Sequence, residues 1–319
     1  MRILSGIQPS GKLHIGNYLG SLKNFLALQH QHQCFFMVAD YHSITESYDP
    51  TKKQEQIIEL MSDFLAAGLD PKKCVLFAQS HVPEHTELAW IFDSVTPISF
   101  LERMTQYKDK AGRQIENINT GLFTYPILQA ADILMYHATA VPVGIDQDQH
   151  LELTREIARF FNNRFGKTFA EPKTLHTETS KVMSLLEPTK KMSKSLGDNH
   201  CIYLSDEPEA IRQKFSRAVS DSGDATSPGG QNLLLLAKIF CAKTDYRRFS
   251  DASQAGKLSY GELKPVLADA IADYFSEFRK QKKKISTASV KRTMAVGAKK
   301  AQKVASATME EVRKKIGIR

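Results

Sequence analysis

Gly6-Ile7-Gln8-Pro9-Ser10-Gly11-Lys12-Leu13-His14-Ile15-Gly16-Asn17 stands between a short apolar run at residues 2–5 and a segment, 18–28, whose Leu19, Leu22, Phe25 and Leu26 recur at helical spacing. A strand that turns through glycines directly into a helix is the opening unit of a parallel α/β sheet. The same turn suits phosphate. Glycines let a ligand approach the backbone, and the helix start offers unpaired N–H groups and the positive end of its dipole. His14 and Asn17 are three residues apart, so both point the same way at the start of the helix, and both can donate to phosphoryl oxygens. The spacing is neither the dinucleotide-binding Gly-x-Gly-x-x-Gly nor the phosphate-loop Gly-x-x-x-x-Gly-Lys-Ser/Thr. Taken alone, the stretch also reads as a tight strand–helix turn with surface His and Asn.

Beyond this turn the alternation continues. Residues 34–39 form a continuous apolar run suited to a buried parallel strand. A helix follows over 51–67, with Asp49-Pro50 as its start signal and Gly68 as its stop. Further strands are expected at 75–78 and 140–143, and further helices at 84–92 and 147–162. This order predicts an α/β fold, a doubly wound parallel sheet of Rossmann-like type, over residues 1–197. After Asp198 the pattern becomes all-helical, with helices at 207–219, 233–240, 260–282 and 290–316 and a Ser/Asp/Gly/Pro-rich loop at 220–231. Residues 198–319 are therefore expected to form a separate C-terminal helical domain. Its last helix carries a stripe of Met294, Ala298, Ala301, Val304, Ala305, Thr308, Val312 and Ile316, with Gly317 as C-cap.

The bulk properties agree with two soluble domains. The chain has 319 residues, 42% of them hydrophobic. No apolar run reaches the roughly 18 residues of a membrane span, and the N-terminus lacks a signal-peptide segment, so a cytoplasmic protein is expected. Cys34, Cys74, Cys201 and Cys241 are scattered and suggest no metal site, only reduced structural thiols. The net charge of +8 is uneven. From Arg279 onward there are fourteen Lys/Arg against two Asp/Glu, whereas the preceding residues hold 29 against 33. A local basic block is the footprint of a nucleic-acid partner, or else a solvated helix face.

Two more segments carry chemistry. Lys190-Lys191-Met192-Ser193-Lys194-Ser195 places two lysines three apart among serines. Ammonium groups on a mobile loop can stabilise the charge that builds on a departing pyrophosphate; alone, the segment reads rather as an exposed basic turn. Tyr125, Gln129 and Asp132 stand at i, i+4 and i+7 of an apolar helical segment, on one face. A carboxylate among Ala, Ile and Leu needs a partner. A substrate N–H or O–H could supply it, a bond worth roughly 1.5–3 kcal/mol, and could reject analogues that lack the donor. The other reading is a helix acid that caps a neighbouring loop.

His14-Ile15-Gly16-Asn17 resembles the His-Ile-Gly-His signature of class I aminoacyl-tRNA synthetases, with Asn in the last place as in the tryptophanyl branch. Lys191–Ser195 matches the second signature of that class. The segments 101–110 and 141–150 also look tryptophanyl, and the resemblance covers most of residues 2–235. It implies ATP, carried with Mg²⁺ and without a protein-bound metal, as the nucleotide substrate. L-tryptophan is the implied amino acid and tRNA(Trp) the implied acceptor. It implies that Gln8, Pro9, Ser10, Gly16, Asn17, Gly144, Ile145, Asp146, Val182, Lys191, Met192, Ser193, Lys194 and Ser195 bind ATP. His14, Asn17, Lys110, Lys191 and Lys194 take the catalytic roles. Asp132 then binds the indole N–H, helped by Tyr125, Gln129, Gln147 and His42, with Val141, Val143 and Leu4 lining the ring pocket. Residues 1–197 become the catalytic domain and 198–319 an anticodon-binding domain, in a homodimer. Leu4, Tyr41 and Ile145 depart from the residues common in bacterial members. The Tyr125–Gln129–Asp132 face also resembles the tyrosyl branch, so a tyrosyl enzyme remains one alternative; a catalytically silent RNA-binding paralogue is another.

Overall fold

The computed structural model describes residues 1–104, 119–144, 147–176 and 181–318. Five strands, β1 (Arg2–Ile7), β2 (Gln33–Val38), β3 (Cys74–Ala78), β4 (Ala140–Val143) and β5 (Lys173–His176), form one sheet in the order β3-β2-β1-β4-β5. Every pairing is parallel, with Leu4 opposite Phe35 and Ile3 opposite Ala140. The chain winds outward from β1 to β3, then crosses back to lay β4 on the other side of β1. That reversal makes the carboxyl ends of β1 and β4 the switch point of the sheet, the position where ligands bind in open α/β sheets. Gln8, His42, Gln79 and Gly144 all follow closely on strand ends at this edge.

The connections obey local rules. Helix α1 (Ile15–Asn17) loosens into a π-turn over Tyr18–Leu22 and continues as α2 (Lys23–Leu28). Helix α3 (Pro50–Ala67) starts with Asp49 accepting from the Thr51 N–H at 2.9 Å and Pro50 in its first turn, and it stops at Gly68 with φ 107°. Then come α4 (Glu84–Asp93), α5 (Ile98–Glu102), α6 (Thr120–Met135) and α7 (Asp148–Phe165). Helix α6 is apolar on nearly every side and is correspondingly buried between α4 and α7. At the centre of the core Phe35 stacks on Tyr136, and Phe77 meets the same ring edge-on.

The chain divides into two compact units. The sheet unit comprises Met1–Gly11, Lys23–Glu178 and Ile285–Arg319. The helical unit comprises Lys12–Leu22 with Thr179–Lys284. It holds α8 (Pro208–Ser216), α9 (Pro228–Phe240), α10 (Lys243–Gln254), α11 (Tyr260–Tyr274) and α12 (Ser276–Lys284), with α11 packed on α8 and α9. This differs in two ways from a boundary at residue 197. The last helix, α13 (Thr287–Ile316), packs along β3, α3 and α4 as part of the sheet unit. Its stripe of Gly297, Ala298, Ala301 and Ala305 is narrow enough for close approach, and the Thr308 hydroxyl donates to the Met135 carbonyl at 2.8 Å. The turn around His14, in contrast, belongs with the helical unit. There the Ile15 N–H donates to the Ile202 carbonyl at 2.9 Å and the Leu204 N–H to the Leu13 carbonyl at 3.0 Å.

Candidate active site

In the sheet unit the site is built around Asp132, which is 1% exposed. Its Oδ2 meets His42 Nε2 at 2.7 Å, and its Oδ1 meets His85 Nδ1 at 2.6 Å. Gln79 Nε2 donates to both oxygens, at 2.8 and 3.0 Å. These partners are side chains from three other segments, so Asp132 is no loop cap. Burial pushes its carboxyl up, but the hydrogen bonds from His42 and His85 outweigh this and hold it below the usual carboxylate range. Gln79 is itself fixed: its Oε1 accepts from the Tyr41 N–H at 3.1 Å, which leaves the amide nitrogen facing Asp132. Tyr125, about two helical turns before Asp132, bonds His150 Nε2 through its hydroxyl at 2.8 Å and sets its ring edge-on to His42. Burial raises the Tyr125 hydroxyl to about 12, so it stays a neutral phenol.

The remaining residues of this unit sort by exposure. Leu4, Val141 and Val143 are buried in the apolar cluster that contains Ile133. Gln129, Gln147 and Gly144 are half-buried, and Gln8 and Ser10 are exposed after β1. Pro9 is buried, and its carbonyl accepts from Lys53 Nζ at 3.4 Å, which also reaches Ser43 Oγ at 3.1 Å. Lys110, Ile145 and Asp146 lie outside the described residues.

The helical unit carries both signature motifs. His14 caps α1: its Nδ1 accepts from the Asn17 N–H at 3.3 Å while Asn17 Oδ1 accepts from the His14 N–H at 3.2 Å. A Cβ on residue 16 would come within 2.9 Å of that imidazole, so glycine there lets the ring fold back onto the helix. With Nδ1 used as an acceptor, the neutral ring carries its proton on Nε2, a donor free of the cap. Burial, together with the positive charge of Lys194 and Lys191, lowers the His14 imidazole to about 3. The ring is therefore neutral at physiological pH, and the two lysines lie within electrostatic reach of it. The lysine loop is pinned at its base. The Met192 N–H donates to the Val182 carbonyl at 3.0 Å, with both side chains buried, and Asn232 clamps Met183 through its N–H and C=O, each at 3.0 Å. Beyond the pin, Lys191 and Ser195 are exposed, Ser193 and Lys194 half-buried, and the two serine hydroxyls lie 2.9 Å apart. Gly16 and Asn17 are half-buried.

Gln79, His85 and Tyr136 in the sheet unit, and Asn232 in the helical unit, hold these candidate residues in place without any motif of their own. Their only trace in the sequence is polarity within segments that otherwise bury apolar residues.

The family model for tRNA synthetases class I (W and Y) matches residues 1–313. The chain is 45% identical, over 325 residues, to a tryptophan–tRNA ligase of Caldanaerobacter subterraneus subsp. tengcongensis, across 99% of this chain and 98% of that one. The crystal structure of the Campylobacter jejuni tryptophanyl-tRNA synthetase complexed with ADP and tryptophan is similar at a TM-score of 0.87 and 35% identity, covering 99% of this chain and 100% of that one. The Mycoplasma pneumoniae tryptophanyl-tRNA synthetase follows at 0.85 and 36%, covering 99% and 97%. The chain belongs to the class I tRNA synthetases of the tryptophan and tyrosine type.

Proposed function

We infer that the chain is a tryptophan–tRNA ligase: it joins L-tryptophan to AMP from ATP, releasing pyrophosphate, and passes the tryptophanyl group to tRNA(Trp), releasing AMP. The observation that carries this reading is the match to tryptophan–tRNA ligases over 99% of the chain. In the first step a tryptophan carboxylate oxygen attacks the α-phosphorus, a P–O bond forms, and the bond to the β-phosphate breaks. No side chain need become a covalent nucleophile; the protein positions the reactants and stabilises charge. In this reading the His14 Nε2–H and the Asn17 amide donate to phosphoryl oxygens. Lys191 and Lys194, with Lys110, receive the negative charge of the departing pyrophosphate. Gln8, Pro9, Ser10 and Gly16, and on the lysine loop Met192, Ser193 and Ser195, hold the triphosphate. Gly144, Ile145 and Asp146 hold the adenosine, with Val182 against its base. Mg²⁺ arrives as part of the Mg–ATP substrate. In the second step the 3′-terminal adenosine hydroxyl of the tRNA attacks the adenylate carbonyl and AMP leaves.

Asp132 accepts the indole N–H, and Leu4, Val141 and Val143 supply the apolar walls. Tyr125, Gln129, Gln147 and His42 orient the amino acid. A homodimer suits Trp90 and Ile98, 75% and 64% exposed on α4 and α5, since large apolar side chains on a surface mark an association face. The four cysteines, all free, and a tRNA substrate fit a cytoplasmic setting. Among the described residues no helix is long and apolar enough to cross a membrane.

ATP–pyrophosphate exchange run with each amino acid tests the reading. Tryptophan is expected to support exchange; exchange with tyrosine and none with tryptophan would overturn it.

A further inference from the structure

We propose that Tyr136 and His85 form a buried positioning relay that aims the Asp132 carboxylate at the substrate's ring N–H, and thereby set the discrimination for that N–H. The proposal rests on the reading of Asp132 as the indole acceptor.

The geometry is a chain of three groups. Asp132 Oδ1 lies 2.6 Å from His85 Nδ1, and His85 Nε2 lies 2.8 Å from the Tyr136 hydroxyl. His85 and Tyr136 are both 0% exposed, so neither can exchange its partner for water. A carboxylate needs a donor, so His85 presents Nδ1–H to Asp132. A neutral imidazole that does so has a lone pair on Nε2, and the Tyr136 O–H fills it. The tyrosine thus selects the tautomer that can donate to Asp132. The ring of Tyr136 is held in turn by Phe35 at 4.8 Å and Phe77 at 5.7 Å between centroids, so the anchor is part of the rigid core.

The second fixed donor, Gln79, is 0% exposed and locked by the Tyr41 N–H. A carboxylate offers about four acceptor directions, and the protein fills them, with Gln79 on both oxygens, His85 on one and His42 on the other, so a substrate N–H takes the place of one protein donor. His42, at 7%, is the one donor with appreciable exposure. Substrate therefore approaches Asp132 from the His42 side, against a carboxylate whose other edge is immobile. A site built this way penalises a ligand without the N–H, because the aimed acceptor then goes unpaired.

Neither residue touches substrate, so both are positioning residues, and the readout is discrimination rather than activity alone. The full-length enzyme is assayed by pyrophosphate exchange with tryptophan and with its benzothiophene analogue, which has sulfur in place of the ring N–H. In the wild type the analogue is expected to be at least about a hundredfold poorer in kcat/KM. Equal use of the two ligands by the wild type would sink the Asp132 reading itself. If the wild type discriminates, Tyr136→Phe, which keeps the ring, should raise the KM for tryptophan about tenfold and leave the analogue unchanged, so that discrimination falls. His85→Asn keeps a donor near the Nδ1 position and should retain more discrimination than His85→Leu. Undiminished discrimination in soluble Tyr136→Phe would overturn the relay. So would equal losses for both ligands in all three variants, which is the signature of packing alone; should Tyr136→Phe fail to fold, the Asn–Leu contrast at residue 85 decides.

Discussion

Asp132 and His14 are both buried titratable groups, and their environments drive them in the same direction by different means. The Asp132 carboxyl is held below the usual carboxylate range by its donors, so its contribution to stability is present above about pH 4 and is lost as pH falls through the lowered folded value. Asp132→Asn should raise the KM for tryptophan at least tenfold in exchange assays, because an amide turns an N–H toward a donor on one side. An unchanged KM would remove Asp132 from the pocket. His14 titrates at about 3 in the fold against 6.5 unfolded. At pH 7 it is neutral in both states, and between 6.5 and 3 only the unfolded chain takes up the proton, so acid costs stability there. Urea unfolding at about pH 7 and about pH 4.5 should show the wild type losing on the order of 2 kcal/mol more than His14→Gln between the two pH values. Parallel losses would contradict a buried neutral imidazole. The sequence exposed these two residues because each breaks a local pattern, a carboxylate in an apolar helix and a polar pair in a glycine turn. His85 and Gln79 stayed hidden, since they reach Asp132 from 47 and 53 residues away and no local spacing records a tertiary contact.

Among the helices and strands, periodicity located helices well and their partners poorly. Of the predicted stripe, Met294, Ala298, Ala301, Ala305, Thr308 and Val312 are buried, and Val304 and Ile316 only partly so. Nothing in that stripe says that it faces β3 rather than the helices preceding it in the chain. Gly297 is the informative position: a methyl group there would overlap the Leu76 carbonyl. In an exposed helix, Gly→Ala gains about 1 kcal/mol. Here the helix would have to lift off the strand, so Gly297→Ala should instead cost roughly 1–3 kcal/mol, read as a lowered Tm; a raised Tm would show that α13 does not lie against β3. The one helix expected over 260–282 is two, α11 and α12, separated at Phe275, whose ring packs on Tyr18 at 5.0 Å. Strand β5 and helix α10 went unread because neither shows clean periodicity: β5 is only partly buried, and α10 buries just Phe249 and Ser253.

Over the full chain, the basic block is the feature that sequence detected and structure redistributed. Arg279–Lys284 end the helical unit, while the lysines from 291 onward ride on α13 and belong to the sheet unit. Deleting everything beyond Lys280 would therefore be a poor probe of tRNA binding. It would strip Ala301, Ala305, Met309 and Val312, each 0% exposed, from the core of the sheet unit, and the loss of affinity would report unfolding. Charge can be removed without touching that core. Lys291, Arg292, Lys299 and Lys303 are all exposed on α13, and replacing the four with glutamine keeps helix propensity. If this face meets tRNA phosphates, the variant should keep the wild-type Tm but bind tRNA(Trp) more weakly. The slope of log affinity against log salt should flatten by about 0.7–0.9 for each phosphate no longer neutralised. A wild-type slope would assign the face to solvent and leave Arg279–Lys284 as the cationic segment to test next. The distinction matters because α13 packs on β3, the strand that Gln79, a donor to Asp132, directly follows.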